Sequence, residues 1–128
     1  MTDEVVMPLR WHRPEPPPMW HVTLTVFGAP VGAEQVRAAL ERLTQERPFL
    51  LSARYAVDRA ELRYWEEARD LEDAAALALR LWGEHRRTAD LPPWRVTGLE
   101  VVDRATFQLR AMESPLPALV PAGGVRPF

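Results

Sequence analysis

Residues Leu50 to Glu67 read LLSARYAVDRAELRYWEE. Two short runs, Leu50 to Val57 and Glu61 to Glu67, carry Tyr55, Tyr64 and Trp65, and Asp58-Arg59-Ala60 joins them. Aromatic-rich runs of this length around a compact polar link are the pattern of an antiparallel hairpin. Because this hairpin sits between two helical segments, its reading decides the order of the whole chain.

Upstream, HVTLTVFG (His21 to Gly28) alternates with period two and is rich in β-branched residues, which predicts a strand ended by Gly28 and Pro30. From Ala33 to about Glu46 the spacing changes. Val36, Leu40 and Leu43 fall on one helical face and Glu34, Arg37, Glu41 and Arg42 on the other, with Pro48 beyond as a stop. Downstream, Asp70 is placed to cap a second helix whose first turn holds Glu72 and Asp73, where the helix dipole favours acids. That helix runs through Ala74, Leu77, Ala78, Leu81 and Trp82 to about Arg87, before Leu91-Pro92-Pro93 breaks the chain. Trp94 to Val102 reads as the last strand, and Asp103-Arg104 offers a turn into an optional extra C-terminal strand, Thr106 to Ala111.

The order β-α-β-β-α-β is the split βαβ, ferredoxin-like sandwich of the α+β class. Right-handed crossovers then place two helices on one face of an antiparallel four-stranded sheet in the order 4-1-3-2. Three segments follow: a proline-rich N-terminal arm over residues 1–20, the ferredoxin-like domain over 21–111, and a proline- and glycine-rich C-terminal tail over 112–128. In the arm, WHRPEPPPMWH holds four prolines between Trp11 and Trp20, an extended stretch that cannot be helical. It suits a structural arm packed by its two indoles, or a ligand for an unidentified protein partner with an aromatic groove.

The chain has 128 residues, of which 47% are hydrophobic and 27% charged, values of a single folded domain rather than a disordered chain. Its formal charge of −2 argues against a dedicated nucleic-acid or anionic-membrane binder. Cys is absent, which excludes thiol nucleophiles, disulfides and thiolate metal sites. All 16 basic residues are Arg, so neither a Schiff-base nor a phosphate-loop lysine exists. Asn and Ile are absent as well, and with abundant Ala and Arg this is the composition of a GC-rich bacterial gene. The N-terminus lacks the apolar run of a secretory signal and no stretch reaches a membrane span, so the expectation is a cytoplasmic protein.

Catalytic patterns are equally sparse. The histidines His12, His21 and His85 have no metal-ligand spacing, and neither Ser52 nor Ser114 lies in a nucleophile elbow. Glu66 and Glu67 are strand neighbours and point to opposite faces, so they make no glycosidase pair. The expectation is that no metal and no cofactor is bound.

What remains is the sheet face that the two helices leave open. Pleat alternation sends Val22, Leu24 and Val26, with Ala53, Tyr55, Val57, Leu62 and Tyr64, toward the helices. Thr23, Thr25, Phe27, Ser52, Arg54, Arg63 and Trp65 then face outward. Three uses fit this face: a two-fold homodimer, with Phe27, Thr25, Trp65, Trp20 and Trp11 as interface residues; cover by a terminal segment; or a ligand site. In the ligand reading, Arg54 and Arg63 recognise an anion, Trp65 stacks, and His21 and Tyr64 line the pocket, as in a small-molecule-binding protein or enzyme of the dimeric α+β-barrel type. The preferred reading is a non-catalytic dimerising interaction module. The arginines also have the simpler role of cross-strand ion pairs, with Glu61, Glu67 and Glu100 as partners.

Overall fold

The computed structural model describes residues 17–47, 50–113 and 124–128. Residues 1–16, with Trp11, His12 and the first two prolines of the proline run, and residues 114–123 of the tail lie outside the described residues, as do Pro48 and Phe49.

The hairpin forms. Strand β2 (Leu50–Ala56) and strand β3 (Arg59–Glu67) pair antiparallel, with Arg54 opposite Glu61 and Ala53 opposite Leu62. The turn is tighter than the spacing suggested. Val57 and Asp58 form it, so Val57 is exposed rather than turned inward. Strand β1 (Met19–Phe27) pairs antiparallel with β3 on one side and with β4 (Arg95–Asp103) on the other.

Helix α1 (Ala33–Glu46) and helix α2 (Leu71–His85) cover one face. From α1 they bury Val36, Ala39, Leu40 and Leu43, and from α2 Ala74, Ala78, Leu81 and Trp82. Against them lie Val22, Leu24, Val26, Ala53, Ala60, Leu62 and Tyr64, all fully enclosed. Asp70 caps α2 as its position implies, its side chain accepting the Asp73 N–H at 2.8 Å. At the end of the sheet where β1 leaves, Trp82 and Trp94 stack with parallel rings 6.1 Å apart. Their indole N–H groups donate to Pro92 O and Ala29 O. Gly28 lies against the Trp94 indole, and a Cβ there would overlap the ring.

The mixed α+β class holds, but the sheet is not the four-stranded antiparallel one expected. Among the described residues it has five strands in the order β4-β1-β3-β2-β5, and β5 (Val125–Pro127) lies parallel to β2. The fifth strand therefore comes from the end of the chain. The segment expected as an extra strand, Thr106 to Ala111, is instead part of helix α3 (Arg104–Glu113). Asp103 starts that helix by accepting the Thr106 N–H at 2.7 Å. Helix α3 lies on the opposite face from α1 and α2, so the sheet carries helices on both sides.

The last strand, whose apolar residues failed to alternate, contains a register shift where Thr25 pairs with Gly98 but Val26 with Val96. The extra residue, Thr97, flips the alternation. Val96, Leu99 and Val101 all reach the core, and Val102 is left on the other face.

Candidate functional site

The second sheet face is built row by row from the strand register. His21 stands between Trp65 and Val102, Thr23 between Arg63 and Glu100, Thr25 between Glu61 and Gly98, and Phe27 beside Arg59. Helix α3 crosses only the first part of it. Phe107 packs 4.3 Å from the His21 ring and 4.9 Å from Trp65, and His21 meets Trp65 edge-on at 5.2 Å. This aromatic triad leaves His21 only 6% exposed although it sits on a face that the two core helices do not touch. Burial, then the positive charge of Arg63, holds its titration below the usual imidazole range, with Glu100 pulling the other way. The imidazole is therefore neutral at physiological pH.

Beside the triad is a cleft of about 300 Å³, roofed by α3 and floored by the sheet. Thr23, Arg63, Glu100 and Val102 line it from the strands, and Phe107, Arg110 and Ala111 from the helix, with His21 at its inner end. The charges are unequally matched. Arg110 bonds Glu100 at 3.0 Å across the rim. Glu61 is gripped by Arg54 through both Nε and Nη2, at 3.2 and 2.9 Å. Arg63 comes no closer to that same Glu61 oxygen than 3.5 Å, through Nε, and makes no hydrogen bond to it. Its terminal guanidinium nitrogens thus keep their donors for another acceptor.

The five residues expected around a ligand separate in space. His21 and Arg63 line one cleft, and Trp65 is joined to it through the aromatic triad. Arg54 is drawn toward the other end of the face, where its guanidinium lies 4.9 Å from the Phe128 ring. Tyr64 is on the helix side, fully buried, with a hydroxyl that has no hydrogen-bond partner among the described residues. Burial there pushes the phenol far above its usual range. Of the expected interface residues, Thr25 and Phe27 are on the bare part of the face. Trp65 is held in the triad, and Trp20 is half-buried with its indole N–H donating to Ala68 O at 3.1 Å. Alternation predicts a strand over residues 106–111 and so leaves Phe107 and Arg110 out of the expected site, whereas helix α3 brings both to the cleft. Asp103 in N-cap position was the signal that would have found both.

Of the other histidines, His85 donates from Nδ1 to Glu46 at 2.6 Å and joins α2 to α1. Among the described residues no group of three or more His, Cys, Asp or Glu side chains is arranged to hold a metal ion. No described helix is long and apolar enough to cross a membrane.

The chain belongs to the family described as a Domain of unknown function (DUF8830), whose sequence model matches residues 19–117. The match runs from the first residue of β1 past the end of α3, so it includes the whole cleft and leaves β5 outside. None of the curated proteins and none of the solved structures matches the chain.

Proposed function

We propose that this member of the family is a non-catalytic interaction module that pairs two copies through the half of the open sheet face that α3 leaves bare. The ferredoxin-like order of its first four strands, β4-β1-β3-β2, supplies the flat surface for this. The observation that carries the reading is Phe27, 43% exposed at the end of the central strand β1, on the part of the face that α3 leaves bare. Some of the charges around it are already engaged, while Arg95, directly opposite Phe27, and Arg126, beside Arg54, have no ion pair among the described residues. Arg54 and Glu61 form a cross-strand pair, and Arg54 and Arg59 both lie over Phe128. The charges neutralised in place cost less to desolvate than free ones.

The face is a better contact than the edges. The β4 edge carries the register shift at Thr97, a device that spoils strand addition, and the opposite edge is the three-residue β5 with Pro127 in it. Size sets the strength. From strand spacing of ~4.8 Å and rise of ~3.4 Å, the bare half covers roughly 350–400 Å² in plan. Stable partners bury about 800 Å² each, so the pair is a weak one with micromolar or weaker affinity.

Sedimentation equilibrium over a concentration series tests this. The expected result is a mass rising from one chain to two, and a return to one chain in Phe27→Glu with unchanged thermal unfolding. A mass of one chain across the whole series overturns it.

A further inference from the structure

We infer that the cleft between α3 and the sheet is a binding site for a small, flat carboxylate. Four observations meet there. Arg63 presents terminal guanidinium nitrogens that its long contact to Glu61 leaves unused, and a guanidinium fork matches a carboxylate in geometry. His21, nine-tenths buried at the inner end, offers a neutral imidazole. Burial and the neighbouring charges of Arg63 and Glu100 set its titration. The Thr23 hydroxyl stands between Arg63 and Glu100 on the floor. Val102, Phe107 and Ala111 supply an apolar wall for the rest of the ligand.

The charge count sets the class of anion. Arg54, Arg63 and Arg110 face Glu61 and Glu100, a net of +1 over the connected set. That excess suits a monoanion, while Glu100 on the rim opposes a dianion such as a phosphate monoester. The volume, about 300 Å³, lies at the lower end of ligand pockets, which limits the occupant to a single ring with its acid group. The rings of Phe107 and His21 pack on each other 4.3 Å apart and give the cleft one aromatic wall, against which a planar ring packs better than a bulky group. All of these residues belong to one chain, and the inference stands whether or not two copies pair.

Benzoate is the probe, titrated into the full-length chain with the His21 ring and the Arg63 Nε signals followed by NMR. A ligand of this size binds with a dissociation constant on the order of 0.1–1 mM. The expected result is a saturable shift of both signals. Arg63→Gln is expected to weaken it at least tenfold, and Arg80→Gln, on the exposed side of α2 and away from the cleft, to leave it unchanged. Benzyl alcohol, with the ring but no charge, and inorganic phosphate, with charge but no ring, should each bind at least tenfold more weakly. If Arg63→Gln perturbs the fold, Arg110→Gln with benzoate replaces it, with weakening again expected. A shift that fails to saturate, one that survives the Arg63 or Arg110 variant, or equal binding of benzyl alcohol or phosphate overturns the inference. Light scattering on the same samples reports pairing separately, so a monomer that binds benzoate counts against the dimer alone.

Discussion

Truncating Phe107 to alanine should release α3 without unfolding the domain. Helix α3 has 10 residues and buries none of them fully, while Leu109 and Met112 are exposed. Its ties to the sheet are the half-buried Phe107, the Asp103 cap and the exposed Arg110–Glu100 pair. Full burial of a phenylalanine is worth about 3–5 kcal/mol on truncation, so a half-buried one contributes about 2 kcal/mol. The cap adds about 1 kcal/mol. An ion pair with both side chains more than half exposed adds between ~0 and 1 kcal/mol. Phe107 therefore supplies around half of the attachment, and a helix this short is marginal in water by itself.

In Phe107→Ala the amides of 106–113 should lose hydrogen-exchange protection, and far-UV circular dichroism should lose helix. The urea transition of the core, which rests on Val22, Leu24, Leu40 and Leu62, should keep its slope. His21 reports the event directly. With Phe107 gone the burial that depresses its titration is relieved, and an NMR titration should show it moving up toward 6.5, the ordinary imidazole value. If His21 titrates as in the parent and the α3 amides stay protected, then Phe107 is not what closes this face.

Three further outcomes can be checked on the purified chain. Gly28→Ala forces a methyl into the Trp94 indole, and overpacking of this kind costs about 1–3 kcal/mol, read as a lowered urea midpoint. Tyr64→Phe removes a buried hydroxyl that bonds to no described group, so stability should be unchanged or higher by about 1 kcal/mol, and a loss of more than that would mean the hydroxyl has a partner. Finally, the folded chain holds His21 neutral below the pH at which the unfolded chain protonates it. Unfolding then takes up a proton, so stability is intact above pH 6.5 and is lost as pH falls through the folded-state value. Arg63, Glu100 and Arg110 are the charges around that ring, and His21→Phe should flatten the slope between neutral and acid while leaving them in place.

Legibility varied along the chain for physical reasons. The first strand and both core helices were plain because each buries one face, and burial imposes its period on the sequence: Val22, Leu24 and Val26 at every second residue, Val36, Leu40 and Leu43 at every third or fourth. The hairpin turn was misplaced by one residue, since a polar link shows where a turn is but not how many residues it takes. In TFQLRA, residues 106–111, apolar side chains alternate and imitate a strand. The imitation works because, of the two large apolar side chains, only Phe107 packs on the sheet: Leu109 is exposed, so no buried face shaped the spacing. Local chemistry pointed the other way, with Asp103 as cap before good helix formers. The fifth strand had no signal at all. Three residues ending in proline pair with β2 only because the sheet edge is there to receive them.

The candidate site inherits the same limits. Arg63 and His21 could be placed on the open face from strand alternation, but whether that face was empty depended on α3. With α3 in place the face divides: a roofed part holding the cleft and a bare part around Phe27. The two parts adjoin where the row of Thr23, Arg63 and Glu100 borders the row of Thr25 and Glu61. Glu61 bridges them, since it holds Arg54 on the bare side and touches Arg63 in the cleft. A carboxylate that draws Arg63 away leaves Glu61 wholly to Arg54, which tightens the cross-strand ion pair on the bare half. Carboxylate binding should therefore strengthen pairing of two copies, and linkage requires the effect to be mutual. The factor by which saturating benzoate lowers the dimer dissociation constant must equal the factor by which dimerisation raises benzoate affinity. Sedimentation with and without benzoate gives the first, and titrations at low and high protein concentration give the second. Equal factors above one support the bridge through Glu61. In Glu61→Gln both should fall to one, and a coupling that persists there would have to travel by another route.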